Sequence, residues 1–389
     1  MTPDWRARAT AVIPGGSSTG SKRPASLFGP AHEGPTHLTE ARGCRIRTAG
    51  GDWLIDLTSA LGAVALGYAD PGVSDAVAVA ARRGPVAGLS YVDEVTLAER
   101  LCGRIASAEQ VRFLKTGAEA CAAAIRIART HTGRDRVLGS GYFGWLDWWS
   151  DSAGVPVGAH ADYMPLPFND RAAWHDAFAR HADRVAAVIV EPIVETMADP
   201  DWLGDLRAHC DRLGAVLIFD EVKTGFRIDP GGAQAGLGVA PDLTVIGKAL
   251  ANGYPLAAVL GRAEVMAATE RTWISSTLAT ELTALAAAHA VLDRHDALPV
   301  CATLADTGRA LREVIARAAQ DAGRELRTVG HDAMFIIRWP DQDTEDRTLA
   351  ALRTAGVLAK RGPYQFATTA MLPADVAEVG EAFHRALTQ

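Results

Sequence analysis

No stretch of this chain stays apolar for the ~18 residues a membrane-spanning helix needs. The opening MTPDWRARATAVIPGG has no apolar run of the kind that makes a secretory leader, so none is expected. Positive charge is also in short supply. Thirty-nine basic residues face 46 acidic ones, for a net charge of −7, and a nucleic-acid footprint would be basic. Cysteines are few: Cys44, Cys102, Cys121, Cys210 and Cys301 are odd in number, scattered, and without metal-type spacing. They suit a reducing cytoplasm and read as small buried residues. Repeats and low-complexity tracts are missing as well. What the chain has in quantity is apolar matter, 48% of 389 residues, enough for a substantial core in two or three domains.

The most informative stretch runs from Gly214 to Leu250, GAVLIFDEVKTGFRIDPGGAQAGLGVAPDLTVIGKAL. Ala215–Phe219 is a short apolar run that ends abruptly in Asp220-Glu221. Such a run, bounded by glycine and acid, reads as a parallel strand buried on both faces. An acid at its carboxyl end stands where open α/β sheets place their ligands. A second apolar run, Leu243–Ile246, ends in Gly247-Lys248, so a lysine is expected beside the same crevice. A carboxylate and a lysine at neighbouring strand ends suit pyridoxal phosphate (PLP): the lysine forms a Schiff base with its aldehyde, and the carboxylate keeps its ring nitrogen protonated. Two plainer readings stand beside this one. Asp220 alone serves equally well as a helix cap or a surface acid. An apolar run ending in Asp-Glu also describes the Mg-binding strand of P-loop NTPases, but no G-x-x-x-x-G-K-[ST] loop lies upstream.

The rest of the chain supplies context. CRIRTAGGDWLIDLTS predicts a hairpin turning at Ala49-Gly50-Gly51. Helices are predicted over Val73–Arg83, Asp93–Ser107 and Trp202–Leu213, and strands over Val111–Leu114, Arg136–Ser140 and Arg184–Val190, the last ending in Glu191-Pro192. Alternating strands and helices imply a mostly parallel sheet. Between Val111–Leu114 and a helix reaching about His131, Thr116-Gly117-Ala118-Glu119 turns the chain and bares backbone N–H groups, an anion site. Tyr142 leaves a strand end, where an aromatic can stack on a flat ring. Val222, two residues past Asp220, reads either as the opposite wall of that ring or as a plain core valine. The last ninety residues read as helix, strand, strand, helix, with Ala333–Trp339 the clearest strand and Ala374–Leu387 the last helix.

FDEVKTGFR followed by PDLTVIGKALANGYPLAAVLGRAEVM resembles the core of class III PLP-dependent aminotransferases, in their branch similar to glutamate-1-semialdehyde aminomutase. VRFLKTGAEACAAAIRIARTHTGRD, GYFGWLDWW and ISSTLATELTALAAA match in the same order. The likeness covers roughly residues 10–295. It implies an α/β, PLP fold type I enzyme with a mostly parallel sheet and a small α+β domain. The expected division is an arm over 1–45 packing with the small domain, a large PLP-binding domain over 46–295, and the small domain over 296–389.

The resemblance makes Lys248 the Schiff-base lysine and Asp220 the partner of the ring nitrogen. It puts Thr116, Gly117 and Ala118 at the phosphate, Tyr142 and Val222 at the ring, and Glu191 among the cofactor contacts. Thr277 would reach the phosphate of a partner subunit in a homodimer. Ala118 stands where the branch carries a hydroxyl residue, and Phe143 where it usually carries histidine. Lys22, Arg23, Trp145 and Glu281 are the substrate candidates; the SKRP stretch is similar to relatives that aminate sugars and cyclitols. A cytoplasmic transaminase follows, passing nitrogen from an amino acid to a sugar or cyclitol carbonyl. An aminomutase or epimerase built from the same parts stands as the alternative.

Overall fold

The computed structural model describes residues 4–29 and 34–388; positions 1–3 and 30–33 of the expected arm, and residue 389, lie outside them. The chain divides into two compact units, Met1–Pro71 with Pro299–Gln389, and Gly72–Leu298.

In the first unit, β1 (Leu38–Arg42), β2 (Arg45–Thr48) and β3 (Trp53–Asp56) form an antiparallel meander. The turn between β2 and β3 falls at the expected glycines. The second unit holds β4 (Gln110–Leu114), β5 (Arg136–Ser140), β6 (Tyr163–Pro165), β7 (Val185–Val190), β8 (Val216–Asp220), β9 (Leu243–Ile246) and β10 (Ala257–Gly261). The chain then returns to the first unit with β11 (Arg327–His331), β12 (Met334–Arg338), β13 (Val357–Leu358) and β14 (Gln365–Phe366). Strand β13 pairs in parallel with β3, matching Val357 to Ile55. Residues 46–71, assigned from sequence to the large domain, therefore lie with the C-terminal unit: the edge of β3 finds its partner there. The tail is also richer than the helix–strand–strand–helix reading. It adds a helix, Gln342–Thr354, and the two-residue strands β13 and β14, too short to leave a periodic signal.

The second unit is built on a seven-stranded sheet in the order β4-β10-β9-β8-β7-β5-β6. Every pairing is parallel except those of β10, which runs antiparallel to β4 and β9. The central strands are buried along their whole length, VAAVIV in β7, VLIFD in β8 and LTVI in β9. That is why they read as continuous apolar runs and not as alternating ones. The helix Gly117–Thr132 follows β4 and sinks Ala120, Ala124, Ile127 and Ala128 into the core. Because β4, β5, β7, β8 and β9 share one direction, their carboxyl ends gather along one edge of the sheet. Among the described residues no helix is long and apolar enough to cross a membrane.

Candidate active site

The carboxyl edge of the sheet collects most of the side chains singled out from sequence. Asp220 ends β8 and Gly247-Lys248 follows β9, its neighbour in the sheet. Asp220 is 4% exposed. Its Oδ1 accepts the Val222 N–H at 3.0 Å, and its Oδ2 accepts the Cys121 thiol at 3.4 Å. Burial first, and then the Glu191 carboxylate, push its pKa up to about 7. Lys248 holds a left-handed backbone, φ 47°, a conformation that strains a residue with a Cβ by about 1–3 kcal/mol. Burial, followed by the charge of Lys223, lowers its pKa; Asp220 and Glu191 oppose them.

The strand-to-helix turn after β4 is a capping box. Thr116 Oγ1 accepts the Glu119 N–H at 3.2 Å, while Glu119 Oε2 accepts the Thr116 N–H at 2.9 Å and the Lys115 N–H at 3.2 Å. Gly117 and Ala118 then open the helix with N–H groups that no preceding turn can accept. Thr116 is engaged as the cap, and its hydroxyl keeps a proton to give. A Cβ on Gly117 would stand 2.9 Å from Val222 Cγ1, so only glycine lets this turn approach the residue after β8 so closely.

Glu191 follows β7. Its Oε1 accepts the Tyr142 N–H at 2.8 Å, and its Oε2 lies 2.5 Å from Lys223 Nζ. The Tyr142 ring is 67% exposed and stands edge-on against Trp149. Phe143 turns the other way: it is buried and packs with Trp148, Trp149 and Tyr163. The position where the resembling branch carries histidine is thus aromatic core in this chain.

A cradle of amides, a buried acid and a strained lysine on one sheet edge have the chemistry to receive an anion with a reactive carbonyl and a basic ring nitrogen. Comparison with known sequences agrees. The profile described as "Aminotransferase class-III" matches residues 29–142 and 156–386. The chain belongs to the class III aminotransferase family. The glutamate-1-semialdehyde 2,1-aminomutase of Desulfovibrio desulfuricans is 39% identical over 278 residues, covering 67% of this chain and 65% of that protein. The alignment thus spans just under two thirds of that relative. The protein of the same name from Dechloromonas aromatica is 34% identical over 374 residues, covering 90% of this chain and 86% of its own. Among solved structures, the PLP internal aldimine form of the FumI protein from Sphingopyxis sp. MTA144 superposes with a TM-score of 0.95 at 30% identity, over 100% of this chain and 95% of that one.

The class III profile skips residues 143–155, which carry the aromatic knot around Phe143 and also Trp145, 75% exposed. Thr277 lies exposed in the stretch before the helix Leu282–Ala297, near the exposed apolar side chains of Trp273 and Leu278. Glu281, a substrate candidate by resemblance, has structural work. It caps that helix, accepting the Thr283 and Ala284 N–H groups at 2.8 and 3.2 Å, and pairs with Lys115 at 3.5 Å. Lys22 and Arg23 are exposed and belong to the other unit, where the Arg23 side chain folds over Gly15.

Two members of the site escaped the sequence reading. Cys121 was taken as a small core residue; it sits four residues after Gly117, on the helix face that meets Asp220. Lys223 was passed over inside FDEVKTGFR, although its spacing of three from Asp220 placed it in the same turn.

Proposed function

We propose that this protein is a PLP-dependent aminotransferase that moves an amino group from an amino acid to a ketone or aldehyde, the acceptor being a sugar or cyclitol. The carrying observation is the placement of Lys248 and Asp220 at the ends of adjacent parallel strands, β9 and β8, with the Gly117–Ala118 amides at the end of β4. The donor set fits the cofactor group by group. Lys248 offers an amine to its aldehyde. Asp220 offers a carboxylate to its ring nitrogen. The helix N-terminus, with the Thr116 hydroxyl, offers donors to its phosphate. Tyr142 offers an aromatic face and Val222 an apolar one, and glycine at 117 lets the helix N-terminus lie against Val222.

Pyridoxal phosphate, when bound, supplies an aldehyde that takes up and hands on nitrogen and a ring that spreads the negative charge left on a deprotonated carbon. With the cofactor held there, the Lys248 amine would be the base that takes the proton from the carbon bearing the donor's amino group and the acid that gives a proton back. Burial and then the Lys223 charge lower its pKa, which favours the free amine. Asp220, 4% exposed, would hold the ring-nitrogen proton in a water-poor setting, where a fixed charge acts strongly. Glu191 fixes the backbone of Tyr142, the residue that would stack on the ring.

The acceptor assignment rests on the likeness of SKRP to relatives that aminate sugars and cyclitols. The small hydroxyl residues of the arm, Ser17, Ser18, Thr19 and Ser21, are consistent with a polyol. A second reading, a mutase acting on glutamate semialdehyde, is favoured by the names of the relatives from Desulfovibrio and Dechloromonas. We further propose a homodimer in which Thr277 gives a hydroxyl to the partner's phosphate site. The exposed Trp273 and Leu278 are consistent with a covered surface there. The test is turnover of the PLP-supplied protein with amino acid donors against keto-sugars, keto-cyclitols and glutamate semialdehyde, read by mass spectrometry. Amination of a polyol ketone is expected. Formation of 5-aminolevulinate with no polyol product moves the assignment to the mutase.

A further inference from the structure

Lys223 stands in the turn after β8, three residues beyond Asp220. Its Nζ lies 2.5 Å from Glu191 Oε2, and both side chains are only 10% exposed. Glu191 is held in its turn. Its other oxygen accepts the Tyr142 N–H at 2.8 Å, and Gly141 leaves it just enough room, since a Cβ there would come within 2.8 Å of Glu191 Cγ. The ammonium is therefore clamped to a carboxylate that is itself clamped to the backbone. A lysine in such a place carries a fixed charge and does not swing as a surface lysine does.

Resting on the reading of Lys248 as the reacting amine, we propose that Lys223, clamped by Glu191, is a positioning residue that sets the protonation of Lys248. Four charged groups bear on Lys248: Asp220 from β8, Glu191 from the end of β7, and Lys223 and Arg227 from the segment after Asp220. The Cys121 thiol, which faces the same cluster from the helix Gly117–Thr132, is kept neutral by burial. After burial, the repulsion from Lys223 is the largest influence on the Lys248 amine, with Arg227 adding to it and the two carboxylates opposing. A neighbouring cation that favours the free amine is a known way to activate a lysine nucleophile. The signs follow. Removing the Lys223 charge holds the proton on Lys248 to higher pH. Removing the Glu191 charge releases it at lower pH.

The experiment uses the full chain without added cofactor. Trace acetic anhydride labels amines in proportion to their unprotonated fraction, and mass spectrometry of the Lys248 peptide gives its profile from neutral to alkaline pH. In Lys223→Met the Lys248 profile is expected to move to higher pH, with labelling below the midpoint reduced roughly ten-fold, the effect of one like charge nearby. Lys223→Arg should keep the wild-type profile. Glu191→Gln should move it the opposite way, and the double variant should fall between. The double variant removes both members of the ion pair together, so its comparison with Glu191→Gln reports on Lys223 even where Lys223→Met fails to fold. A Lys248 profile that is the same with and without Lys223 overturns the proposal, leaving Lys223 a mere partner for Glu191. Failure of the premise reads separately: a Lys248→Ala enzyme that still turns over would remove Lys248 from catalysis without touching the labelling result.

Discussion

Two buried aspartates invite comparison, one in each unit. Asp56 ends β3 after WLI, and Asp220 ends β8 after VLIF. Asp56 is 3% exposed and Asp220 4%. Burial is the leading influence on both and raises both pKa values. Each accepts on Oδ1 the N–H two residues on, from Thr58 at 2.6 Å and from Val222 at 3.0 Å. They part at the second oxygen. Asp56 Oδ2 takes the Tyr68 hydroxyl at 2.6 Å, and the influences on its pKa are hydrogen bonds from its own unit. Asp220 Oδ2 has a thiol at 3.4 Å, a weak donor, with Glu191 and Lys248 bearing on its charge. Asp56 is filled and serves the fold. It braces the turn where Ser59, Ala60 and Leu61 all adopt positive φ. Asp220 keeps capacity for one more proton donor. An acid at the end of a buried strand is therefore not a site in itself; spare acceptor capacity and charged company make it one.

The largest expected effects test that company. Lys248→Ala should abolish turnover with PLP supplied, while the variant folds and melts much as the wild type does. Turnover retained in Lys248→Ala would return Asp220 to the same class as Asp56. Asp220→Asn should lower kcat by about 10²–10³, the scale for losing one charge-stabilising group in a water-poor site. The same variant should show an opposite effect on stability without cofactor. The folded pKa of Asp220 lies at about 7 against an ordinary 3.8. Between those values the folded state holds a proton that the unfolded chain has released, so stability falls as pH rises through that window. Asp220→Asn lacks that loss. It should be more stable than the wild type above pH 7, by on the order of a few kcal/mol, and the gap should close below about pH 4. Parallel melting curves for the two proteins across this range would contradict the assignment.

These contrasts also mark what the sequence could disclose. Asp220, Lys248 and the Gly117–Ala118 turn were legible because each follows an apolar run in a parallel sheet, where strand ends fall on one edge. The antiparallel β10 was not, since AAVLG looks like any buried strand and direction depends on its partners. The affiliation of residues 46–71 was hidden because it depends on pairing across some three hundred positions of chain. Glu281 looked functional by resemblance, yet a residue just before an alanine-rich helix is also a natural cap, and that is how it is used. Cys121 and Lys223 depended on side-chain direction, which spacing only hints at.

A middle-sized effect probes the filled acid. Tyr68→Phe removes the hydroxyl on Asp56 Oδ2 and strands a buried carboxylate oxygen. Stability should fall by about 2 kcal/mol, the range for a hydrogen bond to a charged group, with kcat essentially unchanged. Chemical denaturation and steady-state kinetics on one preparation check both halves. A Tyr68→Phe enzyme that keeps its stability but loses rate would reverse the roles drawn for the two acids.

The smallest effect comes from pushing Asp220 toward the condition of Asp56. Cys121→Ser replaces a weak thiol donor with a hydroxyl of similar shape, and a hydroxyl gives a carboxylate oxygen a much better hydrogen bond. Two consequences follow from the same bond. In the cofactor-free protein the thiol bond already lowers the pKa of Asp220 slightly against burial, so a stronger donor should lower it further. The fall in stability with rising pH should then begin at the same pH as in the wild type but end at a lower one, and be smaller in total. With cofactor supplied, the serine would compete with the ring nitrogen for the Asp220 carboxylate. Because a carboxylate oxygen has two lone pairs, the competition is partial, and turnover should drop only a few-fold, as for a single net hydrogen bond. Cys121→Ala should move the end of that fall the other way, to higher pH, at on the order of 1 kcal/mol for the small cavity left behind. If serine and alanine at position 121 shift the profile in the same direction, the thiol is only filling space, and the difference between the two aspartates lies in the charges around Asp220 alone.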